Sequence, residues 1–393
     1  MISITEAKKI IAENISPLPS VKATLQNATG MLIADVYAPI DIPAFNQSSV
    51  DGYALAFNGW QQHKTLTING EIPAGHSAAV PFSSQNAVRI FTGAPVPDGA
   101  DTVVMQEKTT LSNGLLFIED AQLQTGANVR PKGSEIKARE LALAKGTYLS
   151  PAAIGFLAGI GIAEVSVIAK PSVSIIVTGN ELQQPGKPLL HGQVYESNSF
   201  TLVAALQQLN LTDVKVFWAD DSLYSLKKLL ENALSKSDVV LMTGGVSVGD
   251  YDFVLDATTA CDVTKLFHRV KQKPGKPLYF GKKENRLVFG LPGNPSAVLT
   301  CFYEYVIPAL QLLNSSIRGL QKMHVPFVKT YKKAAGLTHF LKGFYDGNAV
   351  TPLSAQESYR LSSFAKANCI IYVNEETAIC NEGEVVEIHL LPF

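Results

Sequence analysis

The chain is short of net charge, of cysteine and of long apolar runs, and each shortage removes a class of function. Its 33 Lys and Arg against 34 Asp and Glu leave a formal charge of -1 over 393 residues, so no global basic field recruits nucleic acid. Four cysteines, Cys261, Cys301, Cys369 and Cys380, stand far apart without a CxxC pair. That argues against a disulfide framework or a zinc site and points to a reducing cytoplasm. The opening MISITEAKKIIAENI mixes acidic with apolar residues and lacks the continuous core of a signal peptide. No apolar run approaches the ~20 residues that span a bilayer. GxxxxGK[ST], GxGxxG after a strand, GxSxG and HxxxH are all missing, which argues against a P-loop NTPase, a dinucleotide fingerprint, a nucleophile elbow and a histidine metal site.

What is present is a globular composition, 46% hydrophobic and 17% charged, long enough for two or more domains. Ser3 and Glu6 have capping-box spacing ahead of an Ile4–Ala7–Ile11 stripe, which predicts a first helix. From Ala38 to about Gly146, Pro and Gly punctuate short β-rich runs (LTING, AVRIFTG, DTVVMQE, LLFIED), the pattern of a small β domain. LSPAAIGFLAGIG predicts a helix with Ser150 as N-cap and Pro151 in its first turn. Residues 171–313 alternate apolar strands (VSIIV, DVKVFWA, DVVLM, RLVFG) with amphipathic helices, the signature of a doubly wound, mostly parallel α/β sheet. The last seventy-odd residues return to short strands, as in a small barrel.

In doubly wound sheets, ligands sit beyond the C-terminal strand ends. Three such ends carry polar loops: TGNEL with Glu181, WADD with Asp220 and Asp221, and TGGVSVGDYD. In the last, Gly244 and Gly245 suit a backbone nest for an oxyanion, flanked by the hydroxyls of Thr243 and Ser247. Its Asp250 and Asp252 would repel phosphate unless a divalent cation bridges them, and magnesium prefers such oxygens; the bland alternative is a tight turn with Asp250 as helix cap. HRVKQKPGKP follows. Read as one strand, it places Arg269, Lys271 and Lys273 on one face, with Lys276 beyond. GLPGNPSAV, with Pro292, Asn294 and Pro295, reads as a rigid turn opening a helix, capped by Asn294 or Ser296. Asp51-Gly52 reads as a turn, and Thr92 as a strand end.

FNQSSVDGYAL, RIFTGAPVPDGADTVVMQE, TGNEL, TGGVSVGDYD, KPGKP and GLPGNPSA occur in an order and spacing similar to those of the molybdopterin molybdenumtransferases, the family of bacterial MoeA and the gephyrin E-domain. The resemblance covers nearly the whole chain. It implies an elongated homodimer of four-domain subunits: a helical linker domain (1–40 with 138–170), an inserted β-rich domain (41–137), an α/β domain similar to molybdopterin adenylyltransferase (171–313) and a C-terminal β-barrel (314–393). The active site would lie between the α/β domain of one subunit and the inserted domain of the other. The implied reaction is magnesium-dependent insertion of molybdate into adenylylated molybdopterin with release of AMP. By motif position Asp51, Thr92, Glu181, Asp252 and Lys273 are catalytic, and Asp220 and Asp252 hold magnesium. Thr243, Gly244, Gly245, Ser247, Arg269, Lys276, Pro292, Asn294 and Pro295 bind the substrate. Lys342 stands where relatives can have an arginine linked to molybdate, and Ser358 matches its partner; Glu135 replaces an aspartate. Implied partners are a second copy, the two small-molecule substrates and, transiently, the adenylyltransferase and molybdoenzyme maturation factors. Rival readings are an adenylyltransferase, a gephyrin-like scaffold and a tungstate-inserting relative.

Overall fold

The computed structural model describes residues 1–75, 80–220, 222–245 and 253–392. The chain divides into two compact units, Met1–Val21 with Ile168–Phe393, and Lys22–Val167.

The first unit is built on a six-stranded sheet in the order Val214–Ala219, Val173–Thr178, Val239–Thr243, Arg286–Leu291, Tyr279–Lys283, Thr264–His268. The first four strands run parallel; the last two are antiparallel additions. Alternate side chains divide between two cores, as the strand period of two requires. Val173, Ile175, Val177, Val239 and Leu241 face one cluster, while Ile176, Val240 and Met242 face the other. The chain leaves Val173–Thr178 toward one edge and returns at Val239–Thr243 on its other side. The ends of these two strands therefore form the topological switch point.

The predicted first helix, Ile4–Glu13, is capped by Ser3, whose hydroxyl accepts from the Glu6 amide at 3.1 Å. Ile4, Ala7 and Ile11 pack into the α/β core. That burial is why Met1–Val21 groups with the sheet.

The basic segment is not one strand. Thr264–His268 ends before Arg269, which takes a left-handed φ of 74°, and Gln272–Lys273 pairs instead with Thr338–Tyr345. A reversal of backbone hand destroys the alternation on which a shared face depends, so Arg269, Lys271 and Lys273 do not form a row.

Pro295–Leu313 is a 19-residue helix, long and apolar enough to cross a membrane by length and composition, with 83% of its window buried inside the protein. It is a core helix, with Phe302, Tyr305 and Leu310 in the main cluster. Its middle, Phe302–Val306, widens to a π-helix. Pro308 lacks the N–H that would bond the Glu304 carbonyl and its ring crowds that oxygen, which accounts for the widening.

The C-terminal part of this unit is a mixed sheet in the order Gln272–Lys273, Thr338–Tyr345, Cys369–Val373, Val385–Leu390, Gln321–Pro326, with Val350–Pro352 beside Thr338–Tyr345. Phe327 makes a single parallel bridge to Val350.

In the second unit, a six-stranded sheet runs Thr102–Met105, Gly52–Leu55, Asn86–Ile90, Thr65–Ile72, Leu115–Ile118, Thr109–Ser112. Apolar clusters cover both of its faces. A separate cluster joins Leu32, Ile136, Leu157 and Val167 around the helix Pro151–Gly159, which Ser150 caps as predicted.

Candidate active site

A cleft of about 980 Å³ opens at the switch point of the first unit. Thr178 ends one strand; Gly244 and Gly245 follow the other, and all three line the cleft. The turn at Gly244 needs glycine on two counts. Its φ is 87°, and a Cβ there would sit 2.6 Å from the Thr178 carbonyl oxygen. Gly179 serves its neighbour, since a Cβ on it would meet the Glu181 carboxylate at 2.9 Å. The turn 292–294 closes in from the next strand, with Gly293 against the Gly244 Cα.

Lys273 and Lys276 line the same cleft, exposed, and form no ion pair among the described residues. Glu181 and Glu196 line the cleft with them. Near Lys273, the His339 ring is pushed down to about 4 by burial and by the charges of Lys333 and Lys273, so it is neutral and adds no charge. Asn294 occupies the N-cap position of the core helix, yet its side chain does not cap; its Nδ2 donates to Ser358 Oγ at 3.0 Å. Ser296 donates its amide to the Ser358 carbonyl at 3.0 Å.

Of the sequence-predicted residues, Glu181, Gly244, Gly245, Lys273, Lys276, Pro292, Asn294, Pro295 and Ser358 are thus brought together. Ser247 and Asp252, like Asp221 and Asp250, lie outside the described residues. Thr243 is buried at the strand end with its hydroxyl unpartnered among the described residues. Asp220 is exposed at the end of the neighbouring parallel strand but does not line the cleft. Arg269 is half-buried, away from the lining. Lys342 is buried, and its ammonium bonds backbone carbonyls.

Asp51 and Thr92, in the second unit, form one motif. The Thr92 amide and hydroxyl both donate to Asp51 Oδ1 at 2.8 Å. Those bonds, the amide first, hold the carboxyl below its usual range, helped by Arg89. Gly52 is no turn residue; it opens the strand Gly52–Leu55, where a Cβ would lie 1.9 Å from the Val104 carbonyl oxygen. Gly52→Ala is therefore expected to destabilise this unit by about 3 kcal/mol or more, as overpacking against backbone does, read as a fall in the denaturant midpoint.

The sequence reading missed Glu196 and Asn198. Glu196 holds the start of the helix Asn198–Gln208, accepting from the Ser199 amide at 2.7 Å and its hydroxyl at 2.6 Å. Asn198 Nδ2 donates to Gly293 O at 2.9 Å. The run Glu196-Ser197-Asn198-Ser199, polar residues just before an apolar helix, is the signal that was available.

Three family models match the chain in succession: the MoeA N-terminal region (domain I and II) over residues 2–161, a "probable molybdopterin binding domain" over 174–312, and the MoeA C-terminal region (domain IV) over 325–391. The chain is 34% identical over 402 residues to a Haemophilus influenzae protein named molybdopterin molybdenumtransferase, covering 100% of this chain and 99% of that one. It belongs to the MoeA family. A Staphylococcus aureus member of the same name is 31% identical, covering 99% of this chain and 95% of that one. A crystal structure of a molybdopterin biosynthesis MoeA protein from Pyrococcus horikoshii superposes with a TM-score of 0.80 at 28% identity over 99% of both chains. The family membership fits a multidomain α/β architecture of the kind described above.

Proposed function

We propose that this MoeA-family transferase inserts molybdate into adenylylated molybdopterin, with magnesium, and releases AMP. The observation that carries the reading is the cleft at the switch point, in a chain that whole-length relatives named molybdopterin molybdenumtransferase match end to end. Its glycine turn suits a phosphate oxyanion, and its two lysines, without an ion pair among the described residues, supply charge for a diphosphate. As the phosphoanhydride breaks, Lys273 and Lys276 stabilise charge on the departing phosphate, while Glu181 orients the substrate. Thr243, Gly244, Gly245 and Ser247 form the phosphate cradle, with Pro292, Asn294 and Pro295 as its far wall and Arg269 behind it.

Asp220 and Asp252 are the proposed magnesium ligands. The exposed Asp220 carboxylate, at a strand end beside Thr178, is the hard oxygen donor that cation prefers. Bound magnesium would neutralise phosphate charge. Among the described residues no group of three or more His, Cys, Asp or Glu is gathered for a metal, so substrate phosphate and water would complete the shell. The Asp51–Thr92 pair acts as a second catalytic patch, contributed by a second copy of the chain in a homodimer. The bridge between Phe327 and Val350 supports a small C-terminal barrel, because it joins the chain just after the edge strand Gln321–Pro326 to the strand beside Thr338–Tyr345. The four buried, unpaired cysteines fit a cytoplasmic setting.

The test mixes purified protein, adenylylated molybdopterin and magnesium with or without molybdate. AMP release that depends on molybdate is expected, together with a product that activates a cofactor-free molybdoenzyme. Absence of AMP release sinks the reading; consumption of ATP with molybdopterin itself would make the protein an adenylyltransferase instead.

A further inference from the structure

We propose that Lys342 is a positioning residue: an internal cation that holds the segment 353–360, and through it Ser358, against the cleft, and that it does not contact the incoming oxyanion. The kinetic half of this proposal rests on the function proposed above; the structural half does not.

An ammonium has three hydrogens and no acceptor. Lys342 Nζ lies 2.8 Å from Ala355 O, 3.0 Å from Arg360 O and 3.4 Å from Glu357 O. All three donors are thus taken by carbonyls of one short segment, and the residue is only 3% exposed. Nothing is left with which to grip a tetrahedral oxyanion. Burial pulls the ammonium's pKa down, with the Glu357 carboxylate opposing.

The backbone of the same residue holds the same segment. Lys342 N donates to Gln356 Oε1 at 2.9 Å; its carbonyl accepts from Gln356 Nε2 and from the Leu353 amide, both at 2.9 Å. Ala355 takes a left-handed φ of 60°, uncommon outside glycine, which turns the chain so that these carbonyls converge on one point. A buried ammonium without acceptors would be costly, and the converging carbonyls supply them.

The segment carries three residues of the cleft wall, Gln356, Ser358 and Tyr359. Ser358 Oγ accepts from Asn294 Nδ2, and its carbonyl accepts from the Ser296 amide. Its hydroxyl hydrogen is a donor this wall offers to an oxyanion, with Lys273 and Lys276 supplying charge. Arginine could not substitute for Lys342, because a planar fork does not reproduce a tripod of bonds to three converging carbonyls.

The test compares Lys342→Met, Lys342→Arg, Ser358→Ala and the double variant Lys342→Met/Ser358→Ala in the full-length protein. Hydrogen–deuterium exchange, without substrate, reads the segment. Exchange in 353–360 is expected to quicken about tenfold or more in both Lys342 variants, as local hydrogen bonding is lost, while Val239–Thr243 is unchanged. Kinetics read the coupling. Lys342→Met is expected to raise KM for molybdate about tenfold in the wild-type background and less than about twofold on top of Ser358→Ala, the non-additivity of residues that act through one another. Lys342→Arg should not rescue. Unchanged exchange in 353–360, full additivity of the two substitutions, or rescue by arginine would each overturn the proposal in favour of a direct oxyanion contact. If Lys342→Met does not fold, Lys342→Arg decides: faster exchange supports the proposal, wild-type exchange overturns it. Lack of AMP release by the wild-type protein would remove the proposed function and leave the exchange result standing.

Discussion

Lys273→Ala is expected to lower kcat/KM for molybdate-dependent AMP release by about 10²–10³, the scale of losing one preorganised donor to developing charge. The side chain is exposed in the cleft and forms no ion pair among the described residues. Its removal should therefore leave stability within about 0.5 kcal/mol of wild type. Its backbone is set by the pairing of Gln272–Lys273 with Thr338–His339, which the substitution does not touch. Next to it, the Gln272 side chain is buried, donates to Gly275 O at 3.0 Å and accepts from the Tyr305 hydroxyl. The lysine thus projects from a fixed floor. The loss should fall mainly on kcat if the charge is needed as the anhydride breaks, and mainly on KM if it serves binding alone. Equal activity of the alanine variant would remove Lys273 from the reaction.

Glu304→Gln is expected to cost about 3–5 kcal/mol of stability, because it leaves the Lys8 ammonium and the His389 ring facing a buried neutral amide. Glu304 is 1% exposed in the middle of the core helix. Lys8 from the N-terminal helix lies 2.7 Å from Oε2, and His389 Nδ1 from the last strand lies 2.5 Å from Oε1. Burial alone would push its pKa up, but the Lys8 charge and the His389 bond outweigh it and bring it down to about 2. A carboxylate with a depressed folded-state value stabilises the fold above its unfolded value, here 4.5. That contribution, on the order of 3 kcal/mol, is lost as pH falls from about 4.5 toward 2. Wild-type denaturation midpoints should fall steeply across that window, and those of Glu304→Gln more shallowly. Parallel pH profiles for the two proteins would rule out Glu304 as the acid-sensitive group.

Of the four parallel strands, Val173–Thr178, Val239–Thr243 and Arg286–Leu291 were legible because a strand buried on both faces is written as a short apolar run between turn residues; the edge strand Val214–Ala219, part-exposed, was legible from its β-rich composition between turn residues. The rim they build was legible for the same reason: parallel pairing of Val173–Thr178 with its two neighbours fixes which ends share an edge. The antiparallel pair at the far edge was not. There Arg269 reverses hand inside a segment whose alternating charges imitate a strand, and a single residue's φ has no pattern to betray it. Asn198 escaped because its partner, Gly293, is 95 residues away and only the fold brings it near, whereas the local Glu196–Ser199 contact left a legible polar run before the helix. Lys342 was visible as a charge but not as a buried one. Its motif position suggested an anion, whereas the carbonyls around it come from a turn with no charge pattern of its own.

The helix Pro295–Leu313 also has a life before it is packed. On a nascent chain it is a 19-residue segment of mean hydropathy 1.4, which a lipid bilayer would accept on length alone. An ionised side chain near the centre of such a segment costs roughly 3 kcal/mol on insertion scales. The carboxylate that joins Lys8 to His389 in the finished core therefore also makes this stretch a poorer membrane span than its length suggests.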